Sequence, residues 1–149
     1  MSALFEIRDL KKHFPAKGKG IFAKEKGAVK AVDGITFEIH EGETVGIVGE
    51  SGCGKTTLGR TLIRLYEPTD GSLIFKGEDI THYNARQMRK LRSQMQIIFQ
   101  DPYSALNPRH TIGRIISAPF EIQGVEPAGG VKQEVQRLME RVGLNPEHF

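Results

Sequence analysis

Tryptophan is absent from this chain and cysteine occurs once, at position 53. A single cysteine excludes an intrachain disulfide framework and fits a reducing, cytoplasmic compartment. Long apolar runs are missing as well. No stretch approaches the ~20 residues that a membrane-spanning helix needs. The opening residues, MSALFEIRDLKKHF, carry charges where a secretion signal needs an apolar core. Nor does charge of one sign dominate. Lys and Arg total 21 against 18 Asp and Glu, and the resulting +3 gives no argument for nucleic acid. His13, His40, His82, His110 and His148 are scattered and suggest no metal site, and no internal repeat or low-complexity tract is present. What remains is 149 residues at 38% hydrophobic and 26% charged, enough for one folded domain with a real core.

The stretch VGIVGESGCGKTT, residues 45–57, organises the rest. It reads as a buried strand, a glycine-rich turn and the start of a helix. Gly49, Gly54, Lys55 and Thr56 fit the phosphate-binding pattern G-x-x-x-x-G-K-[ST] without a mismatch. Gly49, Gly52 and Gly54 are expected to allow positive φ and close backbone approach. Successive N–H groups can then turn inward as an anion site. The following helix aims its orphan N–H groups and positive dipole end at the same point. Lys55 would reach the β- and γ-phosphates, and the Thr56 hydroxyl would hold Mg²⁺.

Around this loop the spacing predicts strands over 4–14 and 31–40, with a lysine-bearing surface loop over 15–30 (lysines at 17, 19, 24, 26 and 30). Those lysines read as a solvated insertion, or alternatively as a contact with an anionic membrane surface. Thr44–Val48 is nearly all apolar, as in a strand covered on both faces. A helix is expected over 55–66, with Leu58, Leu62 and Leu65 facing the sheet. After the turn at Glu67–Gly71 come a short strand at 72–75, a turn at Gly77 and a polar helix over 84–92. A second buried strand, Met95–Phe99, ends at Gln100. A helix over 111–123 should bury Ile112, Ile115, Ile116 and Phe120, with Pro119 kinking or ending it. One over 131–142 should bury Val131, Val135, Leu138, Met139 and Val142, with Gly143 as its cap.

GESGCGKTT, the AVDGITFEIHEGE hairpin and the FQDPYSALNPR segment together resemble the ATP-binding subunit of an ABC transporter. The likeness is strongest to the ATPase subunits of oligopeptide and dipeptide importers. The resemblance implies an α/β fold of the P-loop NTPase type: a β-rich part with the phosphate-loop strand and helix at 1–104, then the beginning of a helical subdomain at 105–149. It implies ATP and Mg²⁺ as cofactors. The nucleotide would be contacted by Gly49, Glu50, Ser51, Gly52, Cys53, Gly54, Lys55, Thr56 and Thr57. Gln100 matches the glutamine that contacts Mg²⁺ and the attacking water. Phe14 matches the aromatic position that stacks on adenine, although a core role fits it equally, and Phe22 is a weaker competitor. Cys53 reads as a spacer.

The resemblance covers only the N-terminal half of such a subunit. The signature LSGGQ, the apolar strand ending in Asp-Glu and the switch histidine do not occur in the sequence. The implied partners are transmembrane permease subunits, a second ATPase subunit and, indirectly, a solute-binding protein, with no nucleic acid. The implied location is cytoplasmic, peripheral on the inner face of the membrane. Tyr103, Leu106 and the face from Ile112 to Phe120 are candidates for contact with the permease, each reading as core ahead of interface. Two rival readings are a soluble ABC-type ATPase acting on DNA or ribosomes and a non-catalytic nucleotide-binding module. The first lacks a basic stripe or aromatic platform to support it.

Overall fold

The computed structural model describes residues 3–16, 27–101 and 105–149. Lys17, Lys19, Lys24, Lys26, Phe22 and Tyr103 lie outside the described residues. The chain groups into two compact units, Met1–Met88 and Arg89–Phe149. The first holds an antiparallel four-stranded sheet in the order β2-β1-β3-β4. Its strands are β1 (Ala3–Pro15), β2 (Ala28–His40), β3 (Asp70–Phe75) and β4 (Glu78–Asp79). β2 begins three residues earlier than the sequence suggests, because Pro15 and Ala28 still sit opposite one another in the ladder.

Helix α1 (Lys55–Leu62) lies in this unit, and its Leu58 and Leu62 join a core with Ile7, Leu10, Leu73, Phe75 and Ile80. Burying each large aliphatic chain contributes about 1.5–3 kcal/mol. The helix stops four residues short of the expected Tyr66. Arg64 takes φ 56, Leu65 N–H donates to the Arg60 carbonyl, and Arg64 N–H donates to that of Thr61. This is a Schellman closure with an arginine where glycine is usual. The buried guanidinium compensates, donating to the Ile80 carbonyl at 3.0 Å and the Tyr83 carbonyl at 2.9 Å. Leu65, expected to face the sheet, is therefore past the helix end and 45% exposed.

Helix α2 (Ala85–Leu91) buries Met88. The second unit contains α3 (Ile112–Gln123) and α4 (Gly130–Arg141). Thr111 caps α3, its hydroxyl accepting from Arg114 N–H. The residues of α3 that are most buried are Gly113 and Ser117, not the isoleucines, and Ile112 is exposed. The cause is packing distance: a Cβ on Gly113 would stand 3.0 Å from the Phe149 ring. Pro119 sits inside α3 without ending it. Val135 and Met139 of α4 are fully buried, whereas Val142 is 72% exposed. Gly143 (φ 77) closes α4, with Leu144 N–H donating to the Met139 carbonyl and Gly143 N–H to that of Glu140.

Two expected strands are absent. Neither Thr44–Val48 nor Met95–Phe99 is a strand among the described residues. Val48 is 94% exposed and Ile98 97%. An apolar run states that a segment needs cover; a strand exists only where a neighbour completes its ladder. No described strand does so for either segment.

The β1 turn at Asp9 (φ 47) packs against Gly71 (φ 84), where a Cβ would meet the Asp9 carbonyl oxygen at 2.3 Å. Gly71→Ala is expected to destabilise the fold by about 2 kcal/mol or more. Gly77→Ala, at φ 81 but with open space around it, should cost about 1 kcal/mol. Urea unfolding of the two variants checks the difference.

Candidate functional site

The loop before α1 is a tight one. Cys53 N–H donates to the Glu50 carbonyl at 3.3 Å, closing the turn. Gly52 and Gly54 take φ 82 and 103. Gly49 does not have positive φ; its requirement is space, since a Cβ there would lie 2.6 Å from Cys53 Sγ. Lys55 folds its ammonium over the loop and donates to the carbonyls of Gly49 (2.8 Å) and Glu50 (2.6 Å), with Cys53 Sγ at 3.8 Å. The Cys53 thiol thus lies near both Gly49 and the Lys55 ammonium. Gly54 is the N-cap of α1, which has no side-chain cap and no acid in its first turn. The first N–H groups of the helix and its dipole are left for an anion.

The strand beside the loop fixes its position. Lys12 pairs with Val32 and His13 with Lys30, so Ala31 is an extra residue, a bulge in β2. The Ala31 carbonyl oxygen stands where a Cβ on Gly54 would come within 2.0 Å. Only glycine fits that point. Ala31, Lys30 and Asp33 from β2 and Cys53, Gly54 and Lys55 from the loop line one cleft of about 350 Å³, with Ile35, Ile47, Val48 and Leu58 as its apolar part. That volume suits a small ligand. Lys30, then His13, hold the Asp33 carboxyl below its ordinary range through hydrogen bonds of 3.0 and 2.8 Å. A hollow of about 500 Å³ along α4 carries a self-neutralising Glu134–Arg137 pair and nothing suited to phosphate.

The remaining expected residues fall as follows. Glu50, Ser51, Gly52 and Thr56 are exposed, and Thr57 is half-buried with its carbonyl accepting from the Thr61 hydroxyl. Phe14 is half-buried, its ring at right angles to that of Tyr66. Gln100 is exposed in the second unit, just after the apolar segment Met95–Phe99.

The sequence profile of the family described as "ABC transporter" matches residues 32–148. The chain belongs to the ABC transporter family. Similar proteins include the "Oligopeptide transport ATP-binding protein AppF" of Bacillus subtilis, 49% identical over 144 residues, which are 96% of this chain and 44% of the relative. The "Dipeptide transport ATP-binding protein DppF" of Escherichia coli is 42% identical over 146 residues, covering 98% and 43%. Among solved structures, a dimeric bacterial ABC transporter cassette, MJ0796, superposes with a TM-score of 0.71 at 21% identity, over 91% of this chain and 54% of that one. The fold is therefore that of an ABC ATPase cassette. The chain spans about half the length of the curated relatives it matches.

In this ABC family chain the loop itself was legible from its pattern, but Ala31 and Asp33 beside it were not. Ala31 meets the loop through a backbone bulge, which leaves no mark in side-chain spacing, and Asp33 lines the same cleft. Tyr66 on Phe14 was missed for a similar reason: it comes after the helix end that Arg64 sets. No described helix is long and apolar enough to cross a membrane. Gly54→Ala is expected to push the loop off β2 and lower stability by about 2–4 kcal/mol, since both φ and the Ala31 oxygen oppose it. Cys53→Ala, which removes only a thiol contact, should stay within about 1 kcal/mol of the parent. Thermal unfolding of both variants checks this.

Proposed function

We propose that this chain is the nucleotide-binding part of an ATPase that couples ATP binding and hydrolysis to import of a solute, an oligopeptide or dipeptide by similarity. The observation that carries the proposal is the glycine loop, seated against β2, that leads into an uncapped helix start with Lys55 over it. Backbone N–H groups of the loop and of the first turn of α1 would donate to phosphate oxygens. The Lys55 ammonium would exchange its loop carbonyls for the β- and γ-phosphates. Thr56 fits a metal site because it is an exposed hydroxyl-bearing residue in the first helical turn, next to Lys55. Mg²⁺, when bound, would neutralise charge on the phosphates. Gln100 would orient the attacking water, and Phe14 would stack on the base.

Phosphoryl transfer depends mostly on positioning and charge neutralisation, and this chain supplies part of both. The carboxylate that activates water is assigned to an Asp-Glu motif that does not occur in this sequence. The partners follow from similarity: membrane permeases, a second ATPase subunit and indirectly a solute-binding protein. The placement that fits them is the cytoplasmic face of a membrane.

Calorimetric titration tests the loop assignment. The chain should bind MgATP, and Lys55→Ala should weaken binding about 10- to 100-fold, the equivalent of one lost charge-assisted contact of about 1.5–3 kcal/mol. Unchanged affinity would remove the assignment. Phosphate release by the chain alone should stay near background; turnover near about 10 s⁻¹, ordinary for an enzyme, would refute the assignment of the base outside these residues.

A further inference from the structure

We infer that Tyr66, held by Arg60, is the positioning residue that sets the Phe14 ring for a nucleotide base. This rests on the reading of Phe14 as the base-stacking residue. Phe14 pairs with Val29 in the ladder, two residues along β2 from the Ala31 bulge against which Gly54 rests. That separation is about 7 Å of strand, so the Phe14 backbone pairs with β2 close to the point where the phosphate loop is seated.

A half-buried ring at a strand end is free to rotate unless something stops it. Here two groups do so, and a third fixes one of them. The Tyr66 ring stands at 86° to the Phe14 ring with centroids 5.6 Å apart. The Lys12 ammonium lies 5.0 Å from the Phe14 centroid, so one ring face is matched by a cation. Tyr66 is fixed in turn by Arg60, which donates to its hydroxyl at 2.9 Å and lies 5.7 Å from its ring centroid. Arg60 belongs to the last turn of α1, the helix that begins in the phosphate loop. One helix therefore sets both ends of the site: its N-terminus the phosphate contacts, its C-terminal arginine the stacking ring. Stacking depends on ring orientation, so loss of the perpendicular partner weakens base contacts and leaves phosphate contacts intact.

The test measures ATP and inorganic tripolyphosphate, which has no base, by calorimetry in the whole chain and in Tyr66→Leu, Tyr66→Phe and Phe14→Leu. Tyr66→Leu should weaken ATP about two- to tenfold, the worth of one oriented aromatic pair, and leave tripolyphosphate unchanged. Tyr66→Phe, which keeps the ring, should recover most of that loss. Phe14→Leu should match or exceed the Tyr66→Leu effect on ATP alone. Equal loss of both ligands in Tyr66→Leu would show a merely structural residue and overturn the inference. ATP weakened by Phe14→Leu but not by Tyr66→Leu would overturn it while sparing the reading of Phe14. No effect of Phe14→Leu on ATP would overturn that reading and the inference with it.

Discussion

The contact between Gly54 and the Ala31 carbonyl is the constraint on which the site depends. A bulge in β2 leaves Ala31 out of the ladder with β1. Its oxygen then occupies the space that a Cβ at position 54 would need. The loop can sit there only because Gly54 has no side chain and takes φ 103. The groups suited to an anion are mostly backbone N–H, which cannot be moved one at a time. Displacing the loop from the strand would shift all of them together. The sheet therefore seats the loop through one main-chain contact, although it supplies no phosphate-binding side chain.

The same contact marks what the sequence could and could not reveal. The loop was legible because the phosphate-binding pattern consists of residue types at fixed spacing, and that spacing is written in the chain. β1, β3 and α4 were legible because alternation and helical stripes report which face is buried, as Val135 and Met139 bear out. The bulge at Ala31 was not legible, since it depends on register between two strands and on no residue type. The end of α1 was missed for a different reason. Arginine rarely takes φ near 56, and here two distant carbonyls, those of Ile80 and Tyr83, hold it there. Nothing local to Arg64 announces them.

Thr44–Val48 and Met95–Phe99 show the limit of reading strands from apolar runs. Composition says how much cover a segment requires, while a ladder also needs a neighbour with free N–H and C=O groups. The described sheet spends its pairing on β1 to β4. Val48 and Ile98 stay almost fully exposed because their requirement for cover is not met within it. Gly113 presents the reverse case. It was not marked as core because it is not large, yet its lack of a Cβ is what admits the Phe149 ring.

Lys55 brings these arguments to the chemistry. Its ammonium is already satisfied by two loop carbonyls and approached by a thiol. Binding a phosphate there is an exchange of neutral acceptors for charged ones, so only the difference contributes to affinity. The ammonium's bonds to carbonyls are already charge-assisted; a phosphate oxygen adds an opposite charge, and that ion-pair attraction sets the direction of the exchange. The carbonyls released come from Gly49 and Glu50, in the exposed turn, where water can satisfy them at little cost. The turn's exposure thus matters as much as its shape. A buried loop would hold Lys55 against its own carbonyls and oppose the proposed ligand, whereas an exposed one would yield the lysine to an anion that also engaged the helix start.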